Sequence, residues 1–189
     1  VDELTGLYNR RFLETHLDRE LNRARRYGQR FSIVFLDLDD FKRVNDTYGH
    51  AVGDEVLRCF SKMLRGYLRR EDVAARYGGE EFVVIMPQTG SAGAGTFASR
   101  VLHELRGRQC ADDIQVTFSG GIATYPDHGF SVYELLKNAD AALYEAKLAG
   151  KNGVKLSSVE KRASRRYEAE VPVKCYAGDA LIGEGLARD

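Results

Sequence analysis

Acidic residues at two places in the sequence could together hold metal ions. Asp37 ends the apolar run 31–36 and is followed by two further acids, and Glu80 and Glu81 follow a Gly-Gly pair. Carboxylates that converge repel each other unless a cation lies between them, and hard oxygen ligands suit Mg²⁺ or Mn²⁺. Two such ions polarise a triphosphate and activate a hydroxyl for in-line displacement. The acids therefore point to metal-assisted chemistry on a phosphate ester.

The first acid cluster needs a strand to position it. The apolar residues predict a strand over 31–38, buried on both faces at the centre of a sheet. Acids at the end of such a strand lie at the rim of the sheet, where ligand sites of α/β proteins are commonly found.

The second acid cluster lies in a predicted hairpin. Apolar residues 73–75 and 82–86 flank Gly78 and Gly79, a pattern typical of a tight turn with positive φ. Neighbouring side chains of a strand point to opposite faces, so the two glutamates cannot both belong to one solvated face. Taken alone, the motif fits equally well a hairpin whose charges prevent edge aggregation.

The remaining segments predict helices that alternate with strands, which indicates an α/β fold with a mixed sheet. Residues 90–96 lack the lysine of a phosphate-binding P-loop and are interpreted as a flexible helix entry. The predicted helices cover about 9–27 (ending near Gly28), 40–47, 51–68, 95–107 and 131–149, and the later strands cover 114–123 and 154–156.

Composition excludes several classes of protein. The hydrophobic share is 43% and the charged share 30%, as in globular proteins. Basic and acidic residues number 28 each, so no global charge favours nucleic acid, and no apolar run approaches the ~18 residues of a membrane span. Cys59, Cys110 and Cys175 are odd in number and widely spaced, so we expect reduced thiols and a cytoplasmic setting. Because the chain begins at Val1, we expect a piece of a longer, sensor-linked protein.

The segment from Gly78 to Phe82 resembles the active-site loop of the GGDEF family, the diguanylate cyclases, in its Glu-containing form. Similar blocks occur in the family's order at 2–11, 37–46, 49–54 and 140–152, within a domain of residues 1–156. The resemblance implies a palm-like mixed β-sheet with an antiparallel GGEEF hairpin and helices packed around it. It also implies a homodimer that condenses two GTP into cyclic di-GMP and two pyrophosphates.

The resemblance assigns roles to the acids. Asp37, the backbone carbonyl of Leu38 and Glu80 would bind the metals, two Mg²⁺ or Mn²⁺ per active site. Glu80 is also the candidate base for the attacking hydroxyl, and Glu81 is a second-metal or supporting acid.

The resemblance also assigns the nucleotide contacts. Asp54 would accept hydrogen bonds from the N1–H and amino donors of guanine, a pattern that adenine lacks, and Asn45 would contact another part of the same edge. His50 either lines the same pocket or caps the helix entry at Gly49. The phosphates would contact Lys42, Lys147 and Lys151, although the family more often has Arg at the last position.

Arg69 and Asp72, with Arg100 from a neighbouring helix, resemble the family's inhibitory site for cyclic di-GMP. Arginine stacks on guanine and pairs with phosphate, and the aspartate accepts from guanine donors. The alternative is an ordinary surface ion pair between Arg69 and Asp72, worth about 0–1 kcal/mol.

Residues 157–189 differ in character from the rest of the chain. Arg162 and Arg166 precede two predicted strands, 171–176 and 181–186, and resemble the start of a PilZ domain, which binds cyclic di-GMP. The alternative is a solvated basic linker. For the chain as a whole, the alternative to an enzyme is a receptor that binds GTP or cyclic di-GMP without turnover.

Overall fold

A six-stranded mixed sheet forms the centre of the protein. The computed structural model describes residues 1–111 and 114–159 in full and the backbone of 171–177 and 180–187. The strands of the large sheet run in the order β1-β3-β4-β2-β5-β6. In chain order the elements are β1 (Tyr8–Asn9), α1 (Arg10–Tyr27), β2 (Phe31–Leu38), α2 (Phe41–Tyr48), α3 (His50–Tyr67), β3 (Val73–Arg76), β4 (Glu81–Pro87), α4 (Ser91–Arg106), β5 (Phe118–Tyr125), α5 (Val132–Leu148), β6 (Val154–Leu156), β7 (Val171–Ala177) and β8 (Ala180–Ala187).

The strand β2 is the central strand, as its apolar sequence predicts. All eight of its residues are buried. It pairs antiparallel with β4 on one side and with β5 on the other. The pairing with β4 sets Asp37 opposite Glu81. The two acid clusters predicted from the sequence therefore meet at one end of the sheet.

Helices cover both faces of the sheet, because the buried strands are apolar on both sides. Leu36 and Phe82 pack with Phe60 of α3 on the face covered by α2, α3 and α4. Phe35 and Val83 belong to a second cluster, with residues of α1 and α5. The end of β2 is thus reached by helices from both layers.

Two predicted elements begin at other residues in the structure, and one short strand has no counterpart in the prediction. The helix α4 begins at Ser91 rather than at 95. Its early turns are helical because Ala94 and Ala98 are buried in the core, which outweighs the low helix propensity of Gly93 and Gly95. The strand predicted over 114–123 is β5 at Phe118–Tyr125, and Ile114 forms only an isolated bridge with Cys110. The two-residue strand β1 is too short to carry a pattern.

A disulfide joins Cys59 of α3 to Cys110, so the expectation of reduced thiols is wrong for this pair. Their Cα atoms lie 5.9 Å apart, although 51 positions separate them in the sequence. This distance suits a disulfide. Sequence spacing gave no sign of the pairing because the packing of α3 against the segment after α4 creates it.

The C-terminal strands lie where the sequence predicts them. They pair antiparallel as a two-stranded sheet of their own. Arg162 and Arg166 lie outside the described residues. No helix in the described part of the chain is long and apolar enough to cross a bilayer.

Candidate active site

Asp37 is the buried acid at the end of β2. It is 6% exposed, and its Oδ1 lies 2.8 Å from Nζ of Lys147 on α5. Burial raises the pKa of Asp37 above its usual range, although the hydrogen bond and charge of Lys147 oppose this shift. The structure therefore brings together a predicted metal ligand and a predicted phosphate-binding lysine.

Glu80 and Glu81 lie beside Asp37. The backbone N–H of Leu38 donates to the carbonyl of Glu80 at 3.2 Å, which holds the turn against β2. Burial raises the pKa of both glutamates, and repulsion from Asp37 raises each further. Three acids that disfavour one another's charge indicate a place for a cation.

The donor set fits a hard divalent cation. Asp37 and Glu80 would supply carboxylate oxygens, and Leu38 would add a backbone carbonyl from the end of β2. Within residues 1–111 and 114–159, no three His, Cys, Asp or Glu side chains are already arranged as a metal cage. The ammonium group of Lys147 engages Asp37, so a cation bound at that carboxylate would have to displace the lysine or share the carboxylate with it.

In the turn before Glu80, a steric reason for glycine exists at Gly78 and not at Gly79. Neither Gly78 nor Gly79 has a positive φ, so that prediction is wrong. A Cβ at Gly78 would lie 2.2 Å from Oε2 of Glu81, whereas a Cβ at Gly79 would meet nothing within 4 Å. The Glu81 carboxylate therefore folds back over Gly78, and a Cβ there would displace it.

The predicted guanine contacts meet where α2 lies against α3. A Cβ on Gly53 would lie 1.9 Å from Oδ1 of Asn45, so the asparagine side chain rests directly on the backbone of α3. Asp54 is the next residue, and both polar side chains are half-buried. The glycine thus lets the amide of Asn45 lie against α3, one position before Asp54.

His50 and Lys42 are exposed near this pair. His50 is the first residue of α3, directly after the N-cap Gly49. Lys42 lies in the first turn of α2, one position after the buried Phe41.

The loop after α5 carries the third predicted lysine to the same strand end. Lys151 Nζ lies 2.5 Å from Oδ1 of Asp40, directly beyond β2. Asp39, to which the sequence analysis gave no role, is buried and accepts from Ser119, Thr117 and the N–H of Asn152. It joins β2, β5 and this loop, through partners 78 to 113 positions away that sequence reasoning did not supply.

The predicted inhibitory residues are arranged differently from a surface ion pair. The backbone N–H of Arg69 donates to Oδ2 of Asp72 at 2.8 Å. Asp72 is 8% exposed, its Oδ1 has no hydrogen-bond partner, and burial raises its pKa. Arg100 lies over the ring of Tyr67, 5.3 Å from its centroid, at the wall of a cleft of about 590 Å³.

Residues 1–153 match the family described as "Diguanylate cyclase, GGDEF domain". Fold and site together define a diguanylate cyclase domain, and the chain belongs to the GGDEF family. This confirms the fold class and the family predicted from the sequence.

Individual relatives agree with this assignment. The chain is 42% identical to the response regulator PleD of Caulobacter vibrioides over 159 residues, 82% of this chain and 35% of PleD. The GGDEF domain of TpbB from Pseudomonas aeruginosa has a TM-score of 0.79 at 36% identity, covering 82% of this chain and 93% of that one. The GGDEF domain of DgcB from Caulobacter crescentus, solved in complex with cyclic di-GMP, has a TM-score of 0.78 at 33% identity, covering 84% and 96%. The chain spans well under half the length of the curated relatives it matches.

Proposed function

We propose that this domain condenses two GTP into cyclic di-GMP. The 3′-hydroxyl of each GTP attacks the α-phosphorus of the other, so two phosphodiester bonds form, two pyrophosphates leave and two hydroxyl protons are released. The observation that carries the proposal is the cluster of Asp37, Glu80 and Glu81 at one strand end, beside Lys147.

Asp37, Glu80 and the carbonyl of Leu38 would hold Mg²⁺ or Mn²⁺, two ions per site. When bound, the ions neutralise phosphate charge and polarise the phosphorus that is attacked. Glu80 takes up the hydroxyl proton, a role that suits an acid whose pKa is raised by burial and by the neighbouring charge of Asp37. Glu81, opposite Asp37 in the pairing of β4 with β2, would act as a second-metal or supporting acid.

The nucleotide is held at its two ends by different layers of the fold. Asp54 accepts from the N1–H and amino group of guanine, and Asn45 reaches the same edge. His50 lines the base pocket. The triphosphate lies against cations from α2, α5 and the loop after α5, namely Lys42, Lys147 and Lys151.

Each domain presents one GTP, so ring closure requires a homodimer with two sites face to face. The specific activity of the purified chain should therefore rise with protein concentration until the dimer saturates. Incubation with GTP and Mg²⁺, followed by chromatography, tests the activity. A protein that binds GTP but forms no cyclic di-GMP at any concentration would be a receptor instead.

The variant Glu80→Gln makes this test specific to the site. It removes one carboxylate charge at constant size, so we expect synthesis to fall at least 100-fold. The thermal midpoint should not decrease and GTP binding should persist in weakened form. Turnover within threefold of wild type would show that Glu80 is not central.

We further propose product inhibition at Arg69, Asp72 and Arg100. The Oδ1 of Asp72 has no hydrogen-bond partner, so a guanine donor would give it one, although the oxygen is buried and its neighbours must shift to admit the ligand. Added cyclic di-GMP should slow the wild-type enzyme and leave Arg69→Ala largely unaffected. Equal inhibition of both proteins would point to simple competition at the GTP site.

For residues 157–189 we propose the N-terminal part of a PilZ domain, whose Arg162 and Arg166 bind cyclic di-GMP. A protein extended beyond Asp189 should gain a site that Arg166→Ala removes and Arg69→Ala leaves intact, as measured by titration calorimetry. Binding that is insensitive to Arg166 would identify the basic cluster as a solvated linker.

A further inference from the structure

The loop that follows α5 has an uncommon backbone conformation. Gly150, Lys151 and Asn152 have φ values of 111°, 63° and 49°. Gly150 ends the helix in a familiar way, because its N–H and that of Lys151 donate back to the last turn of α5, at 3.3 and 3.1 Å. Lys151, however, carries a side chain that disfavours positive φ. Other groups must stabilise the loop beyond the glycine.

One stabilising group is Asp39, on the sheet side of the loop. The N–H of Asn152 donates to its Oδ2 at 2.9 Å. The hydroxyls of Thr117 and Ser119 donate to the same carboxylate, both at 2.6 Å. Because Asp39 is 7% exposed and has three donors, it provides a fixed anchor for the loop.

The second stabilising group is Arg106, the last residue of α4, on the outer side. Its Nε donates to Oδ1 of Asn152 at 2.8 Å, and its Nη2 donates to the backbone carbonyl of Asn152 at 2.7 Å. Both acceptors belong to one residue, so the planar guanidinium fixes the side chain and the backbone of Asn152 together. A lysine, with a single point charge, does not reproduce this fork.

We propose that Arg106 is a positioning residue for Lys151 in nucleotide binding, an inference that rests on the proposed GTP site. By holding Asn152, the fork keeps the preceding residue at the strand end, where Lys151 and Lys147 pair with neighbouring acids of the rim. Without the fork, the Lys151 ammonium group spreads over many positions and the triphosphate loses part of its neutralising charge. Arg106 itself need not touch the nucleotide.

Calorimetry with guanosine 5′-(α,β-methylene)triphosphate, a GTP analogue whose Pα–C–Pβ link the proposed reaction cannot cleave, and Mg²⁺ tests the proposal. We expect Arg106→Met to weaken binding about tenfold, as does Lys151→Ala. The double variant should bind no more weakly than Lys151→Ala alone, because Arg106 acts through that lysine. Arg106→Lys should behave like Arg106→Met, since it keeps the charge but loses the fork.

Arg108→Met is the matched control. Arg108 lies two positions later and pairs with Glu104 at 2.7 Å rather than with the loop. Its removal should leave binding unchanged. Hydrogen exchange of residues 149–153, measured without nucleotide, should accelerate in Arg106→Met and not in Arg108→Met.

Several outcomes would overturn the proposal. Additive losses in the double variant would mean that Arg106 acts independently of Lys151. Wild-type binding by Arg106→Lys would mean that charge, not the fork, matters. Unchanged exchange in Arg106→Met would show that the arginine does not hold the loop. A wild-type protein that binds the analogue but makes no cyclic di-GMP would refute the proposed function alone.

Discussion

At the scale of single residues, the site depends on glycines that leave space as well as on the acids and amides that occupy this space. Gly78 and Gly53 carry no functional group, yet each provides the space in which an acid or an amide lies. Substituting either glycine displaces a functional group without removing it. Such a variant therefore tests whether the position of that group matters for activity.

Gly78→Ala is predicted to impair catalysis by displacing Glu81. The new Cβ would lie 2.2 Å from Oε2 of Glu81, so that carboxylate must leave its position against the turn. We expect a fall in kcat of about 10- to 100-fold, the range for a misplaced catalytic group. Steady-state kinetics with GTP measures it.

Gly79→Ala is the control, because a Cβ there meets nothing within 4 Å and the backbone has no positive φ. Its activity should stay within about twofold of wild type, as for a substitution without steric conflict. Equal losses in the two variants would show that the turn requires glycine for its backbone rather than for Glu81.

At the scale of elements, the contact between β5 and α5 positions Lys147. A Cβ on Gly121 would lie 2.0 Å from the carbonyl oxygen of Ala139 and 2.3 Å from the amide nitrogen of Leu143. Backbone cannot yield as a side chain can. The helix therefore packs on β5 at a distance that only glycine permits.

Gly121→Ala is predicted to push α5 away from the sheet and to lower stability by about 1–3 kcal/mol or more. Because α5 carries Lys147, GTP binding should weaken as well. Gly120→Ala is the matched control, since its Cβ would meet only side-chain carbons at 3.2 Å. Chemical denaturation compares the two, and equal midpoints would contradict the predicted packing.

The disulfide between α3 and the segment after α4 makes a second prediction at this scale. Removing a disulfide such as this one, which closes a loop of 51 positions, typically lowers the free energy of unfolding by about 2–4 kcal/mol. A reducing agent, or Cys59→Ser, should therefore lower the thermal midpoint, whereas reduction of the Cys59→Ser variant should not lower it further. Thiol titration of the unfolded protein checks the pairing. A wild-type midpoint that does not respond to reduction would contradict a stabilising role.

Sequence reasoning succeeded where a residue's role follows from its own segment. The apolar run of β2, the helical period of α3 and the paired hairpin strands are local signals, so the sheet and its carboxylate end could be predicted. The disulfide, the anchor at Asp39 and the fork of Arg106 depend on partners 46 to 113 positions away. Such contacts exist only once the layers have packed, and no single-segment pattern encodes them.

At the scale of the whole molecule, the repulsion among Asp37, Glu80 and Glu81 lowers the free energy of unfolding when no cation is bound. The folded state raises the pKa of Asp37, Glu80 and Glu81. Groups whose folded pKa is raised bind protons more readily in the folded state than in the unfolded state. Stability from these acids is therefore lost as pH rises through the raised pKa values and is recovered as pH falls through them.

Mg²⁺ is predicted to raise the thermal midpoint at neutral pH by a few degrees, because it binds the folded state and offsets the repulsion. The increase should shrink as pH falls through the raised pKa values, since protonated carboxylates do not bind the ion. Differential scanning fluorimetry with Mg²⁺ or a chelator measures both effects.

The double variant Asp37→Asn/Glu80→Gln is the control for that experiment. It should melt no lower than wild type in chelator and should not respond to Mg²⁺. A response equal to that of wild type would place the ion elsewhere on the protein.

The double pairing of β2 has a consequence for how this protein loses its activity. With hydrogen-bonded neighbours on both edges and eight buried residues, β2 should be among the last segments to exchange its amide protons. Asp37 is therefore part of the most persistent unit of the fold, whereas Lys151 depends on a surface loop. Partial opening of the loop that carries Lys151 would release the nucleotide first and leave β2 in the sheet. The domain would then lose and regain nucleotide binding without unfolding.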